Sequence, residues 1–312
     1  GELDWHRGFD SSYDEGYSTD LIADEAVRFI EEQAGGESPF FLYVPFNAPH
    51  APLQVPAKWL DDYASIGDKD RRTYAAMVAA MDAGVGRILE ALERTGVTKD
   101  TLVWFFSDNG GPGTGDNTPL RAGKGTVYEG GVRVAAALRW PGKVPAGGKV
   151  ETPLMNIDVW PTLARLAGLD PAKGPGKPLD GVDVWDAVQG KALATRPLYS
   201  YYERYQGEAL ALIEYPWKLV RNGPPILGPN PDDAPPEGMR VRTEKLRVEL
   251  FRLDEDPRER TDLSAEQPQR VEAMLAKLRS FRALRPAAGV PPMTAPDPPG
   301  WKAPREWRMT EE

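Results

Sequence analysis

The 312 residues carry 38 Lys and Arg against 47 Asp and Glu, a net charge of −9, with 41% hydrophobic and 27% charged residues. That balance is ordinary for a globular chain; no basic cluster offsets the acid excess to make a nucleic-acid face, and no apolar run approaches the ~20 residues that span a bilayer. Cysteine is absent, which removes disulfides, zinc thiolates and thiol nucleophiles together, and two histidines, His6 and His50, leave few places for a Ser-His-Asp triad. On so acidic a chain, an anionic substrate has to be drawn by a local cationic site such as a bound metal.

The chain opens on a polar stretch rich in Gly, Asp and Tyr, starting at Gly1 rather than Met, the mark of a processed form or a fragment. Ser18, Thr19 and Asp20 then offer N-caps for a helix to about Gln33, with Leu21, Ile22, Ala26, Phe29 and Ile30 at helical spacing. Pro39 to Phe46, "PFFLYVPF", is a continuous apolar run that predicts a strand buried on both faces, as in a parallel sheet. A proline-stiffened loop, "NAPHAPLQVP", follows. From Arg71 to Arg94, Tyr74, Val78, Met81, Val85, Ile88, Leu89 and Leu92 share one helical face, and Gly96 closes the helix. "TLVWFF" (Thr101 to Phe106) and "VAAALRW" (Val134 to Trp140) read as further strands. "DVWPTLARLAG" reads as a helix capped by Asp158 and ended by Gly168.

Strand and helix alternating in this way predict an α/β fold with a mostly parallel sheet flanked by helices. After about residue 190 the texture changes to short aromatic or β-branched runs, "PLYSYYE", "ALALIEY", "WKLVRN" and "VELFRLD". These predict a smaller antiparallel sheet, followed by a helix from about Gln267 to Arg282. Asn222 to Gly238 reads as a loop, and the proline-rich stretch from Pro286 onward as a tail. The expected divisions are therefore 1–190, 191–285 and 286–312, and no internal repeat is present.

Ligands of parallel α/β sheets sit beyond the carboxyl ends of strands, and both His50 and the Asp108-Asn109 pair fall just past a predicted strand. Asp108 and Asn109 supply a carboxylate and an amide oxygen, the donors a hard cation such as Ca²⁺ or Mg²⁺ takes, although Asp-Asn-Gly is equally a turn signature. Lys124, in "RAGKGTVYEGG", is flanked by glycines that let backbone approach a ligand, and its ammonium suits an anionic oxygen. A solvated loop lysine has the same appearance, and the spacing is not that of a P-loop. His50 can hand a proton to a leaving group near neutral pH, or simply be satisfied within its loop. His6 has no strand-end context. Glu129 and Arg133 read as a structural pair supporting the loop.

In combination, "GYSTDLIADEAVRFI", "PFFLYVPFNAPHAPLQVP", "RRTYAAMVAAMDAGVGRILEAL", "SDNGG", "PLRAGKGTVYEGGVR", "DVWPTLARLAG" and "LDGVDVW" resemble the sulfatases of the alkaline-phosphatase superfamily, most of all their arylsulfatase B-like branch. "WKLV" and "ELFRLDEDPRERTDLS" resemble the C-terminal subdomain of that family, so the likeness runs from about Asp4 to Leu263. The resemblance implies hydrolysis of a sulfuric ester, with Asp108 and Asn109 as two ligands to an active-site Ca²⁺. By the same likeness Lys124 contacts the sulfate group, and His50 binds sulfate and assists the leaving oxygen. It also implies a formylglycine nucleophile, a sulfated small molecule or saccharide as substrate, and export to the periplasm or the cell exterior; oligomeric state is left open.

The C/S-x-P-x-R motif that carries the nucleophile is not in these residues; "NTPLR" (Asn117 to Arg121) imitates its outline with Asn117 at the convertible position. The Asp-Asp pair expected to complete the metal site is missing too. The expectation is a chain matching the C-terminal two-thirds of a sulfatase and inactive by itself. Two other readings stand beside it: a phosphodiesterase or phosphonate monoester hydrolase of the same superfamily, and a non-catalytic scaffold.

Overall fold

The computed structural model describes residues 5–8, 10–173, 178–204, 207–228 and 245–285. They fall into two compact units, one within Gly1–Thr101 and one within Leu102–Pro292. The expected tail from Pro286, and residues 229–238 of the expected loop, lie outside the described residues.

The first unit opens with a short antiparallel hairpin, β1 (His6–Arg7) and β2 (Asp10–Ser11). Helix α1 (Ser18–Gln33) follows, but its N-cap is Tyr17, with no side-chain cap bond, so the expected Ser/Thr/Asp cap is not used. Helix α2 (Lys69–Arg94) is capped as chemistry favours, the Asp68 carboxylate accepting from the Arg71 N–H at 2.7 Å. The face α2 buries is not the large-residue stripe expected from spacing. It is Ala76, Met77, Ala80, Gly84, Ala91 and Leu92, while Val78 is exposed. The reason is close approach of the two helices: a Cβ on Gly84 would lie 3.2 Å from the Cβ of Ala23 on α1. Small residues permit that distance, and larger neighbours are pushed to its rim.

Residues 39–46 take no regular secondary structure, with half-buried Phe40, Leu42, Val44 and Phe46 alternating with exposed positions that include Phe41 and Tyr43. No strand ladder forms there among the described residues. Alternation is a property of one chain segment, whereas a strand also requires a hydrogen-bonded neighbour.

In the second unit, β3 (Val103–Phe106) pairs antiparallel with β4 (Ala136–Arg139), Val103 opposite Arg139. Between them lies a single helical turn, α3 (Glu129–Val132). Every strand pairing among the described residues is antiparallel, so the mostly parallel sheet expected from the alternating pattern is not seen. Helix α4 (Val159–Leu166) forms as expected, yet Asp158 does not cap it by a side-chain bond. Its carboxylate is fully buried, accepts from the Met155 N–H at 2.8 Å and the Val182 N–H at 3.0 Å, and pairs with Arg196. A second single turn, α5 (Trp185–Val188), precedes the sheet.

The expected antiparallel sheet is present as β5 (Leu198–Arg204), β6 (Gly207–Glu214), β7 (Trp217–Gly223) and β8 (Arg247–Arg252), in sequential order. Helix α6 (Pro268–Arg282) starts with proline in its first turn, where a missing N–H is harmless. Leu210, Leu212, Leu219 and Leu250 on one sheet face pack with Met274 and Leu278 of α6. On the opposite face Ala211, Val220 and Phe251 pack with Val127 and Tyr128 from the loop that precedes α3. The central strands are therefore covered on both sides, which is why their apolar runs are nearly continuous.

Leu212 is fully buried between sheet and helix. Leu212→Ala is expected to lower stability by about 2–5 kcal/mol, since the rigid sheet cannot collapse around the vacated volume. Urea denaturation followed by circular dichroism checks this.

Candidate functional site

Strand β3 delivers Asp108 and Asn109 to the surface, and local bonds fold the chain over there. The Asp108 Oδ1 accepts from the Asn109 N–H at 2.8 Å, Ser107 Oγ donates to the Asn109 carbonyl at 3.1 Å, and Asn109 Nδ2 donates to the Gly110 carbonyl at 3.1 Å. Since Nδ2 is spent inward, Asn109 Oδ1 is the end of that amide left for a ligand, and Asp108 Oδ2 is likewise uncommitted among the described residues. The turn reading and the ligand reading thus coexist: the same two residues shape the turn with some atoms and present oxygen with others.

Behind this turn is a layer of glycine backbone. Gly110 N–H donates to the Gly131 carbonyl at 2.9 Å, Gly130 N–H to the Arg121 carbonyl at 2.8 Å, and Lys124 N–H to the Gly111 carbonyl at 3.0 Å. A Cβ on Gly110 would overlap the Gly130 carbonyl oxygen, and one on Gly130 would overlap the Arg121 and Ala122 carbonyls. Asn117 closes the layer from the side, its amide accepting from Gly111 N–H at 2.7 Å and donating to the Gly111 carbonyl at 2.9 Å. Asn117 therefore imitates a neighbouring strand, and its likeness to a nucleophile position is outline only. Ala122 holds a left-handed backbone at φ 60, tightening the loop before Lys124. Lys124 itself is exposed, with no partner for its ammonium among the described residues.

The layer is fastened to the β5–β8 sheet by buried charge. Lys218 on β7 is fully buried and its Nζ lies 2.7 Å from Glu129 Oε1 and 2.9 Å from Glu259 Oε1. The other Glu259 oxygen accepts from the Glu129 N–H at 2.7 Å. Burial pushes the Glu259 carboxyl upward, with the Lys218 ammonium opposing it. Arg121 stacks over the Tyr128 ring at 4.0 Å, donates to the Glu259 carbonyl at 3.1 Å and pairs with Glu249 at 3.0 Å. The Tyr128 hydroxyl also bonds Glu249, and its phenol is pushed up, by burial first and by that carboxylate second.

Glu129 thus leans mainly on Lys218; Arg133 is 3.7 Å away and half-exposed, a weaker partner than spacing suggested. Lys218 and Glu259 are absent from the sequence-derived set, and Asn117 entered it only through the outline of "NTPLR". One signal was available for Lys218, a lone lysine inside the apolar run "WKLV" that becomes a buried strand.

His50 lies in the first unit and is exposed, on a turn closed by its own N–H to the Asn47 carbonyl at 2.9 Å. Its Nδ1 is 2.8 Å from the Ala51 carbonyl. A carbonyl only accepts, so the hydrogen sits on Nδ1 and Nε2 is the nitrogen left for chemistry.

Among the described residues no three His, Cys, Asp or Glu side chains gather as a metal cage. Asp108 and Asn109 supply two oxygens of the kind hard cations take, against the six to eight that Ca²⁺ gathers. They fit such an ion as part of a ligand set.

A family model described as Sulfatase matches residues 2–169. Arylsulfatase J of Mus musculus is 31% identical across 90% of this chain and 51% of its own length. N-acetylgalactosamine-6-sulfatase of Canis lupus familiaris is 34% identical across 79% of this chain and 48% of its own. The chain thus spans about half the length of the curated relatives it matches. Among solved structures, Ps i-CgsB superposes with a TM-score of 0.73 at 32% identity, covering 87% of this chain and 56% of that one. It has also been solved in complex with k-i-k-neocarrahexaose.

Gly110→Ala is expected to cost about 3 kcal/mol, the upper end of overpacking penalties, because the added methyl meets backbone rather than a movable side chain; thermal denaturation reads it. A second outcome concerns Glu259. Its carboxyl is raised above the ordinary 4.5, so its contribution is fully present below that value and is lost as pH rises through the elevated one. The destabilisation caused by Glu259→Gln is accordingly largest at acid pH and shrinks toward neutrality, as urea titrations across a pH series should show.

Proposed function

This chain belongs to the sulfatase family, and from that premise we propose that it is part of a sulfuric ester hydrolase acting on a sulfated saccharide. The observation that carries the reading is the loop in which Asp108, Asn109 and Lys124 are tied together through Gly110 and Gly111. A strand-end oxygen pair and an ammonium with no partner among the described residues, joined through one hydrogen-bonded backbone layer, suit a cation and the anionic group it neutralises. The saccharide part rests on the relatives, one named for N-acetylgalactosamine 6-sulfate and one solved with a neocarrahexaose.

In this reading Asp108 and Asn109 help to hold Ca²⁺, or Mg²⁺ in its place, which when bound offsets charge on the sulfuryl oxygens. Lys124 binds a sulfuryl oxygen as a compact point charge, and the glycines on either side let the ester approach its backbone. His50, its Nδ1 committed to the Ala51 carbonyl, holds a proton on Nε2 when protonated and places it at the leaving-group oxygen. The formylglycine nucleophile is assigned to a segment outside these 312 residues, since the motif that would carry it is not among them.

Two outcomes follow. Purified alone, the 312-residue chain should not hydrolyse nitrocatechol sulfate; turnover that survives controls for contaminating sulfatase overturns the assignment of the nucleophile. In an enzyme carrying both this chain and the nucleophile segment, Lys124→Ala should lower kcat/KM by about 10²–10³. There His50→Ala should slow a sugar sulfate more than nitrocatechol sulfate, because a poor leaving group depends more on its proton. Equal losses on both substrates argue against the proton role.

A further inference from the structure

The cluster of Lys218, Glu129 and Glu259 is costly to bury, and none of its three residues is among those offered to a ligand. One ammonium stands between two carboxyl groups, all three residues at most 3% exposed. Taking such groups out of water commonly costs as much as their attraction returns, and apolar side chains of similar size often serve stability equally well. Glu259 adds a second oddity, a left-handed backbone at φ 53, where glycine would be unstrained. What glutamate brings to that position, and glycine would not, is a buried carboxylate.

The geometry shows what the carboxylate does. One Glu259 oxygen takes the N–H of Glu129, the first residue of α3, and the other faces Lys218. Glu129 is thereby gripped twice, at its main chain and at its side chain. Gly130 and Gly131 follow immediately, and theirs are the backbone groups that meet Arg121 and Gly110. The Glu259 carbonyl also accepts from Arg121, so one turn after β8 holds both ends of the stretch that contains Lys124.

We infer that Lys218, Glu129 and Glu259 are positioning residues, which set the separation of Lys124 from the Asp108-Asn109 pair by fixing the glycine layer between them. The functional part of this inference rests on the sulfatase reading; the mechanical part does not. Burial raises the Glu259 carboxyl against the pull of Lys218, and the neighbouring Glu129 carboxylate adds a smaller push in the same direction.

The test replaces the cluster by Lys218→Met/Glu129→Gln/Glu259→Met in the full 312-residue chain, removing every charge at nearly constant volume. Single Lys218→Met, which leaves buried carboxyls unpaired, is the comparison that is expected to melt early or fail to fold. In the triple variant the melting temperature should stay close to that of the parent chain. Amide hydrogen exchange at Gly110, Lys124 and Gly130 should nevertheless accelerate by about tenfold or more, with β6 and β7 amides unchanged. If those three amides keep their protection, or if sheet and loop loosen together, the cluster is ordinary packing and the inference falls.

Titration with inorganic sulfate, followed by the amide signals of Lys124 and its neighbours, separates the two proposals. Binding that Lys124→Ala abolishes and the triple variant weakens supports both. A parent chain that binds no sulfate counts against the role of Lys124, while the exchange data still decide the brace.

Discussion

Several backbone segments of the second unit meet at distances that leave no room for a Cβ. Gly110 lies against the carbonyl of Gly130, Gly130 against those of Arg121 and Ala122, and Gly131 against that of Thr126. Side-chain contacts can slide or change rotamer, but peptide groups in direct hydrogen-bonded contact cannot. This steric constraint converts a long, glycine-rich stretch into one rigid layer. A sequence so rich in conformational freedom would otherwise be expected to wander.

The layer in turn needs something to rest on, and the antiparallel sheet supplies it with two unlike faces. One face is leucine meeting helix α6, a conventional apolar contact. The other receives Val127 and Tyr128, with Lys218 between its neighbours on β7. Alternation along the strand sends Leu219 toward the helix and Lys218 and Val220 toward the loop. The same seven residues of β7 thus anchor a helix on one side and the glycine-rich loop on the other.

Charge follows the same division of labour. Arg87 and Arg94 reach across to acids of α1 at the surface of the first unit, where solvent screening leaves such pairs weak. In the second unit four acids are buried beside defined partners: Asp158 with Arg196, Glu249 with Arg121, Glu129 and Glu259 with Lys218. In a chain of net charge −9, those three cations are spent internally. Lys124, by contrast, keeps its ammonium open to solvent.

The sequence by itself determined the helices α1, α2, α4 and α6, the four-stranded antiparallel sheet and the residues offered for chemistry, because periodicity and strand-end position are local properties of the chain. It also carried the family likeness, which is a matter of motif order. Tertiary structure alone decided which face of α2 is buried, since the near contact of Gly84 with Ala23 depends on a partner helix that periodicity does not describe. It left residues 39–46 without a ladder among the described residues, because a strand needs a neighbour as well as a pattern. It also gave Asn117 its part as a brace on the Gly111 backbone, and brought Lys218 and Glu259 to Glu129 across 89 and 130 residues. Ion pairs so distant in sequence leave no local trace; only a lysine out of place in an apolar strand hinted that a buried charge awaited a partner.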